Sequence, residues 1–318
     1  MANELQFNIG SEGLVSPFDN PLTLANLLVM NSLFPFISSL SLFLTSCATL
    51  PQPTPSPTPE PALGAGFRYS TYGTAYDPGP EYWNQVGQSM AGKFLGAHPE
   101  TIWIVGNIYG EGTYLNFPCE TDDPNIKCGY VDMNEDALRL FDENGYKVWL
   151  QVEAGNADME ELIRIVLGHY KDHPSVIGFG VDVEWYKSTD GPLGVPITDA
   201  EAERWVKAVQ AVNQDYRLFL KHWEIEWMPP TYREGILFVN DEQGFENLDA
   251  MLASFAHWGE HFAPAPVGYQ FGYATDHRWW KPMPDPAQEI GQAILAKVPN
   301  TASLYWVDFT ITQLFPPQ

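Results

Sequence analysis

From residue 66 onward, short runs rich in β-branched and aromatic residues alternate with segments of helical periodicity. The strand-like runs fall at 67–72, 101–107, 147–153, 176–184, 216–223, 235–240, 267–272 and 302–308. Strands spaced by amphipathic helical segments are the pattern of successive β–α units around a parallel sheet. Eight such units in about 250 residues predict an α/β fold, a (β/α)8 TIM-type barrel. An open parallel sheet is the alternative. No glycine-rich phosphate loop follows the first strand, which counts against a nucleotide-binding fold.

Helix signals support the count. Asn134 precedes an apolar-periodic run that stops at Gly145, and Asn156 or Asp158 opens a helix over 159–170. Thr198-Asp199-Ala200-Glu201 reads as a capping box ahead of Trp205, Val206 and Val209. Segments 81–94, 245–258 and 286–298 supply further helices. Two units are irregular. Only a short 229–234 segment separates the fifth and sixth strands, and no helix is expected after the eighth, because the sequence stops within ten residues.

Residues 176–184 divide by parity. Ile177, Phe179, Val181 and Val183 make one apolar face. Val176, Gly178, Gly180, Asp182 and Glu184 make the other, small and then acidic. In such barrels the C-terminal strand ends carry the active site. Two carboxylates there, Asp182 and Glu184, point to acid–base work on a sugar or similar substrate. Few Lys or Arg occur in the strands, so a salt-bridged inner layer is not the expectation for this pair. The same parity argument puts Trp149, Gln151 and Glu153 on one face, and Trp306 with Asp308 on another. Gln270 lies between Gly268 and Gly272. His222 and Glu224 end the fifth strand, and Asp241 ends the sixth. Gln151, Glu153, His222, Glu224, Asp241, Gln270, Trp306 and Asp308 are therefore candidate substrate-binding residues. His169 and His173 are four apart on a predicted helix, but a solvated face is the expectation. No metal and no cofactor is expected.

Gly178-Phe179-Gly180-Val181-Asp182-Val183-Glu184-Trp185 resembles the fourth-strand signature of chitinase-type glycoside hydrolases. That resemblance implies that Glu184 is the general acid and Asp182 its partner, and that Trp306 floors a sugar site. The family carries further aspartates four and seven positions before the glutamate. Here Gly180 and Ile177 stand there, so substrate-assisted catalysis is in question. If a second carboxylate acts instead, Glu153, Glu224 and Asp241 are the candidates.

The net charge of -24 argues against a nucleic-acid partner, whose binding needs Lys and Arg to displace counterions. Cys119 and Cys128 lie in a polar stretch and form either a loop disulfide in an exported chain or two free thiols. Pro21 to Ser46 is apolar and uncharged, and Leu44-Thr45-Ser46-Cys47 resembles the lipobox of bacterial lipoproteins, with Cys47 as the lipidated residue. No Lys or Arg precedes Arg68, unlike an ordinary secretory signal, so an uncleaved anchor or a downstream start is the other reading. Proline at every second position from Pro51 to Pro61 makes an extended spacer.

The predicted organisation is a signal or lipoprotein anchor over 1–47, a Pro-rich linker over 48–65 and a barrel over 66–318. The expectation is an extracytoplasmic, membrane-anchored lipoprotein whose barrel hydrolyses a polysaccharide. The alternative is a non-catalytic glycan-binding lipoprotein on a degenerate barrel.

Overall fold

The computed structural model describes residues 62–188 and 194–317. Cys47, its preceding apolar segment and the spacer to Pro61 lie outside the described residues.

In chain order the elements are β1 (Gly64–Tyr69), α1 (Pro80–Ala91), β2 (His98–Tyr109), β3 (Gly112–Leu115), β4 (Ile126–Cys128), α2 (Glu135–Glu143), β5 (Lys147–Val152), α3 (Met159–Tyr170) and β6 (Val176–Asp182). There follow α4 (Asp199–Val212), β7 (Arg217–Lys221), β8 (Ile236–Asn240), α5 (Leu248–Phe262), β9 (Val267–Phe271), α6 (His277–Trp280), α7 (Pro286–Lys297), β10 (Thr301–Val307) and α8 (Asp308–Leu314). β1 bonds in parallel to both β2 and β10, which closes the eight strands β1-β2-β5-β6-β7-β8-β9-β10 into a barrel. The closed (β/α)8 barrel replaces the open-sheet alternative.

All eight predicted strands are present, with shifted ends. β1 begins at Gly64, so residues 64 and 65 belong to the barrel rather than to the linker. As expected, no α-helix joins β7 to β8; a single 3-10 turn, Ile225–Trp227, stands there. The expectation of no helix after the eighth strand is corrected: α8 packs on β1 and β10. Sequence reading also missed β3 and β4. β2 runs on past the barrel rim and turns back antiparallel as β3, and the Cys119–Cys128 disulfide ties β4 to the loop before it.

Local signals explain the helix starts. Thr198 and Glu201 form the reciprocal capping box, and Asp158 accepts from Glu161 N at 2.8 Å. Asn134 is turned inward instead, accepting from Trp103 Nε1 at 2.8 Å and donating to Tyr170 at 2.8 Å. Asp132 takes over its capping work, accepting from the Glu135 N–H at 3.2 Å.

Inside the barrel, Ile102, Trp149, Phe219, Leu237, Val239 and Tyr305 pack as one cluster. Gly178 and Gly180 make room for it. A Cβ on Gly180 would lie 2.1 Å from the Phe219 ring, and one on Gly178 would lie 2.8 Å from the Trp149 ring. Below this layer Glu100 is buried and accepts from Ser303 Oγ at 2.7 Å, Trp149 Nε1 at 3.1 Å and the Tyr305 hydroxyl. The interior is therefore plugged, and polar chemistry is left to the C-terminal mouth.

Candidate active site

β6 alternates as expected over most of its length. Phe179, Val181 and Val183 join the core outside the barrel, while Gly178, Gly180 and Asp182 face inward. The start differs: the β5–β6 register slips between Val148 and Trp149, so Val176 packs outward and Ile177 against the inner cluster. A bulge of this kind reverses parity on one side of it. The strand ends at Asp182, and Val183–Trp185 forms one 3-10 turn. Glu184 thus sits on a turn above the mouth, half-buried, rather than on the strand.

Asp182 does not stand alone. The Lys221 ammonium at the end of β7 lies 2.7 Å from Asp182 Oδ2 and 2.6 Å from Asp241 Oδ2, and all three side chains are buried. Gln151 Nε2 donates to Asp182 Oδ2 at 3.3 Å. The expectation that cations are too sparse to pair this carboxylate is corrected. A single lysine among few is enough when strand ends converge.

The electrostatics separate the groups. Burial works against the charge of Lys221, but Asp182 and Asp241 hold its ammonium well above the ordinary lysine range. Burial pushes the Asp182 carboxyl up to about 7 against the pull of Lys221, with Asp241 and Glu153 adding to the rise. Burial, then Asp182, Asp241 and Glu153, push Glu184 up to about 8.

A second network closes the opposite side. Arg68, on the inner face of β1, forms a buried salt bridge to Asp308 and donates to Tyr72 at 2.8 Å. The Tyr72 hydroxyl donates to Glu153 Oε1, and Ile108 N donates to Glu153 Oε2 at 2.8 Å. Asp308 Oδ2 also accepts from Ser70 Oγ at 2.8 Å.

Asp308 and Trp306 were predicted to share a face, and they do not. β10 ends at Val307, alternation stops there, and Asp308 opens α8 and turns to the mouth. Trp306 points out of the barrel, wholly buried between Phe271 and Trp280, with Nε1 donating to Thr310 Oγ1 at 2.8 Å. A residue so placed cannot floor a sugar site.

The remaining candidates divide. Gln270 is buried, its Oε1 accepting from Tyr273 at 3.3 Å. His222 is buried; its Nδ1 accepts from Glu224 N at 2.8 Å, which leaves its proton on Nε2. Burial pushes His222 down to about 4, so the ring is neutral. The Glu224 side chain is exposed, so of this residue it is the backbone that the structure ties to the site. His169 is exposed, as expected of a solvated face, with Nε2 2.9 Å from Asp132, whereas His173 is half-buried with Nδ1 2.7 Å from Asp142.

Five buried polar atoms at the mouth have no protein partner: Gln151 Oε1, Asp182 Oδ1, Asp241 Oδ1, His222 Nε2 and Gln270 Nε2. Buried polar groups rarely go unpaired. Together they offer donors and acceptors side by side, the requirement for binding hydroxyls. Among the described residues no cluster of three or more His, Cys, Asp or Glu is arranged to hold a metal. Arg68, Tyr72, Lys221, Tyr273 and Phe309 are the mouth residues that sequence reasoning missed; all but Arg68 lie within two residues of the C-terminal end of a predicted strand, which is the signal that could have found them.

No model of a known protein family and no curated protein matches this sequence. Among solved structures, a β-glucuronidase from an uncultured Clostridium species is similar over 77% of this chain and 43% of its own, at 10% identity and a TM-score of 0.43. A Parabacteroides merdae β-glucuronidase is similar over 61% of this chain and 27% of its own, at 12% identity and a TM-score of 0.36. A GH5-4 broad-specificity endoglucanase from an uncultured bacterium is similar over 79% of this chain and 90% of its own, at 11% identity and a TM-score of 0.48. This chain thus spans less than half the length of either glucuronidase, and at these identities the likeness is one of chain path only.

Proposed function

We propose that the barrel is a glycoside hydrolase, with Glu184 as general acid and Asp182 as its partner, acting on an extracellular polysaccharide. One observation carries this reading: the half-buried Glu184 carboxyl stands on the turn that follows Asp182 at the mouth, where burial and neighbouring carboxylates favour its protonated form. A protonated acid can deliver a proton to a glycosidic oxygen. Asp182, with Oδ1 free, is suited to stabilise the positive charge that develops on the sugar ring. The lipobox-like Leu44-Thr45-Ser46-Cys47 and the proline spacer support export and tethering to a membrane surface.

A second reading is a non-catalytic glycan-binding protein. The observation favouring it is that Asp182 is already salt-bridged to Lys221. The two separate in one experiment on the full chain. Wild type and Glu184→Gln are incubated with a panel of polysaccharides, scoring released reducing ends and retained binding. Release by wild type alone, with binding kept by both, supports the hydrolase. Equal release by both proteins removes Glu184 from the mechanism. Binding without release by either supports the second reading.

A further inference from the structure

Aromatic rings that are exposed or half-buried stand beyond several strand ends at this mouth. Tyr72, beyond β1, is 46% exposed and Phe309, beyond β10, is 44% exposed. Their rings are 6.2 Å apart, and the Arg68 guanidinium sits 5.1 Å below one centroid and 4.7 Å below the other. The cation holds both rings in place from beneath. Beyond β7, half-buried Trp223 lies flat on the buried His222 ring, with centroids 4.1 Å apart. Half-buried Trp185 follows Glu184 beyond β6.

The strand order sets where these rings stand. In the closed order β1-β2-β5-β6-β7-β8-β9-β10, β1 is four strands from β7, and β10 is four strands from β6. In an eight-stranded barrel, four strands is half the circumference. The strand ends that precede Tyr72 and Phe309 therefore stand across the mouth from those that precede Trp223 and Trp185, with the acids between them. For an eight-stranded barrel with strands about 4.8 Å apart, that crossing is about 15 Å. One sugar ring cannot touch both sides.

Charge limits what the chain can be. Glu153, Asp182, Asp241 and Asp308 stand against Arg68 and Lys221, and each of those cations already holds a carboxylate. A polymer bearing its own carboxylates meets these acids, and among the described residues both buried cations of the mouth are already engaged.

We infer that the mouth binds an internal stretch of an uncharged glycan chain, laid from the Tyr72–Phe309 pair across the acids to Trp223 and Trp185. This rests on the sugar-binding reading of the site and extends it to chain length and charge. An internal linkage is thereby presented to Glu184, which implies endo action.

The test uses full-length Glu184→Gln in affinity electrophoresis through mixed-linkage glucan, galactomannan, arabinoxylan, glycol chitin and polygalacturonate. Retardation by at least one uncharged polymer and none by polygalacturonate is expected. A hexasaccharide of the retarding polymer should bind far more tightly than its disaccharide. Adding Phe309→Ala or Trp223→Ala should each weaken hexasaccharide binding roughly ten-fold. Phe309 is exposed and Trp223 half-buried, and circular dichroism checks that each variant folds. Retardation by none of the uncharged polymers, equal retardation by polygalacturonate, or hexasaccharide affinity that survives either substitution overturns the inference. Product release by wild type is scored separately. Binding as described without release sinks the hydrolase reading alone, and release with no effect of the two rings sinks this inference alone.

Discussion

Lys221 and Asp182 end neighbouring strands and meet at 2.7 Å, with Asp241, just beyond the end of β8, completing a buried triad at 2.6 Å from the same ammonium. Two carboxylates share one cation. The arrangement costs about as much in desolvation as the attraction returns, but losing the cation alone leaves two buried acids unpaired. Lys221→Met should lower stability by about 3–5 kcal/mol at neutral pH, measured by urea unfolding. The deficit should shrink on acidification, as the stranded carboxyls take up protons. A deficit independent of pH would show that the loss is one of packing.

Glu184 and Asp182 interact and titrate as a pair. With values of about 7 and about 8, the singly protonated pair prevails only between them. Activity of the wild type should follow a narrow bell, rising through about pH 7 as the pair loses its first proton and falling through about pH 8 as it loses the second. A profile flat to pH 9 would remove Glu184 as the proton donor.

The same shift has a stability consequence with a definite sign. Because folding raises the Glu184 value from 4.5 to about 8, its contribution is complete below pH 4.5 and is lost as pH rises through about 8. Glu184→Gln cannot ionise and escapes that loss. The variant should match wild type near pH 4 and exceed it by roughly 2 kcal/mol at pH 8, a figure that allows for the residue's partial contact with solvent. Denaturant melts at the two pH values check this.

Gly180 stands where chitinase-type sequences carry an inner aspartate, and the structure explains why restoring it would not help. The Phe219 ring occupies that space, 2.1 Å from where a Cβ would sit. Gly180→Ala should destabilise by about 1–3 kcal/mol through overpacking. Gly180→Asp should cost more and add no activity. Thermal melts and rates on the same substrate decide; a gain in rate would mean the Phe219 ring yields.

Trp306 should behave as a core residue. Trp306→Ala removes a wholly buried ring and its bond to Thr310, so a loss of about 3–5 kcal/mol is expected. Surface truncation at Phe309 should cost far less. The comparison of urea midpoints separates a packing tryptophan from a sugar-facing ring.

Much of this protein was legible one strand at a time. Alternation along 147–153 and most of 176–184 placed Gln151, Glu153 and Asp182 on the inner face, because side chains on an extended backbone must alternate. The capping box at Thr198 is local chemistry and was read directly. Parity failed where the backbone stopped being a regular strand. The slip at Val176–Ile177, the turn carrying Glu184 and the helix start at Asp308 each broke the period of two.

Residue types and spacing determined eight strands, most of them followed by a helix, an apolar outer face and acids at strand ends. Pairing of the strands and closure of the sheet decided the rest. Pairing of β6 with β7 brought Lys221 to Asp182, 39 positions apart in the chain, and closure of β1 onto β10 brought Arg68 to Asp308, 240 positions apart; closure also set the aromatic-bearing strand ends on opposite sides of the mouth. The reason is geometric: alternation acts between neighbours along one strand, whereas a charge pair needs two strands laid side by side, and facing sides of a mouth exist only once the sheet has closed.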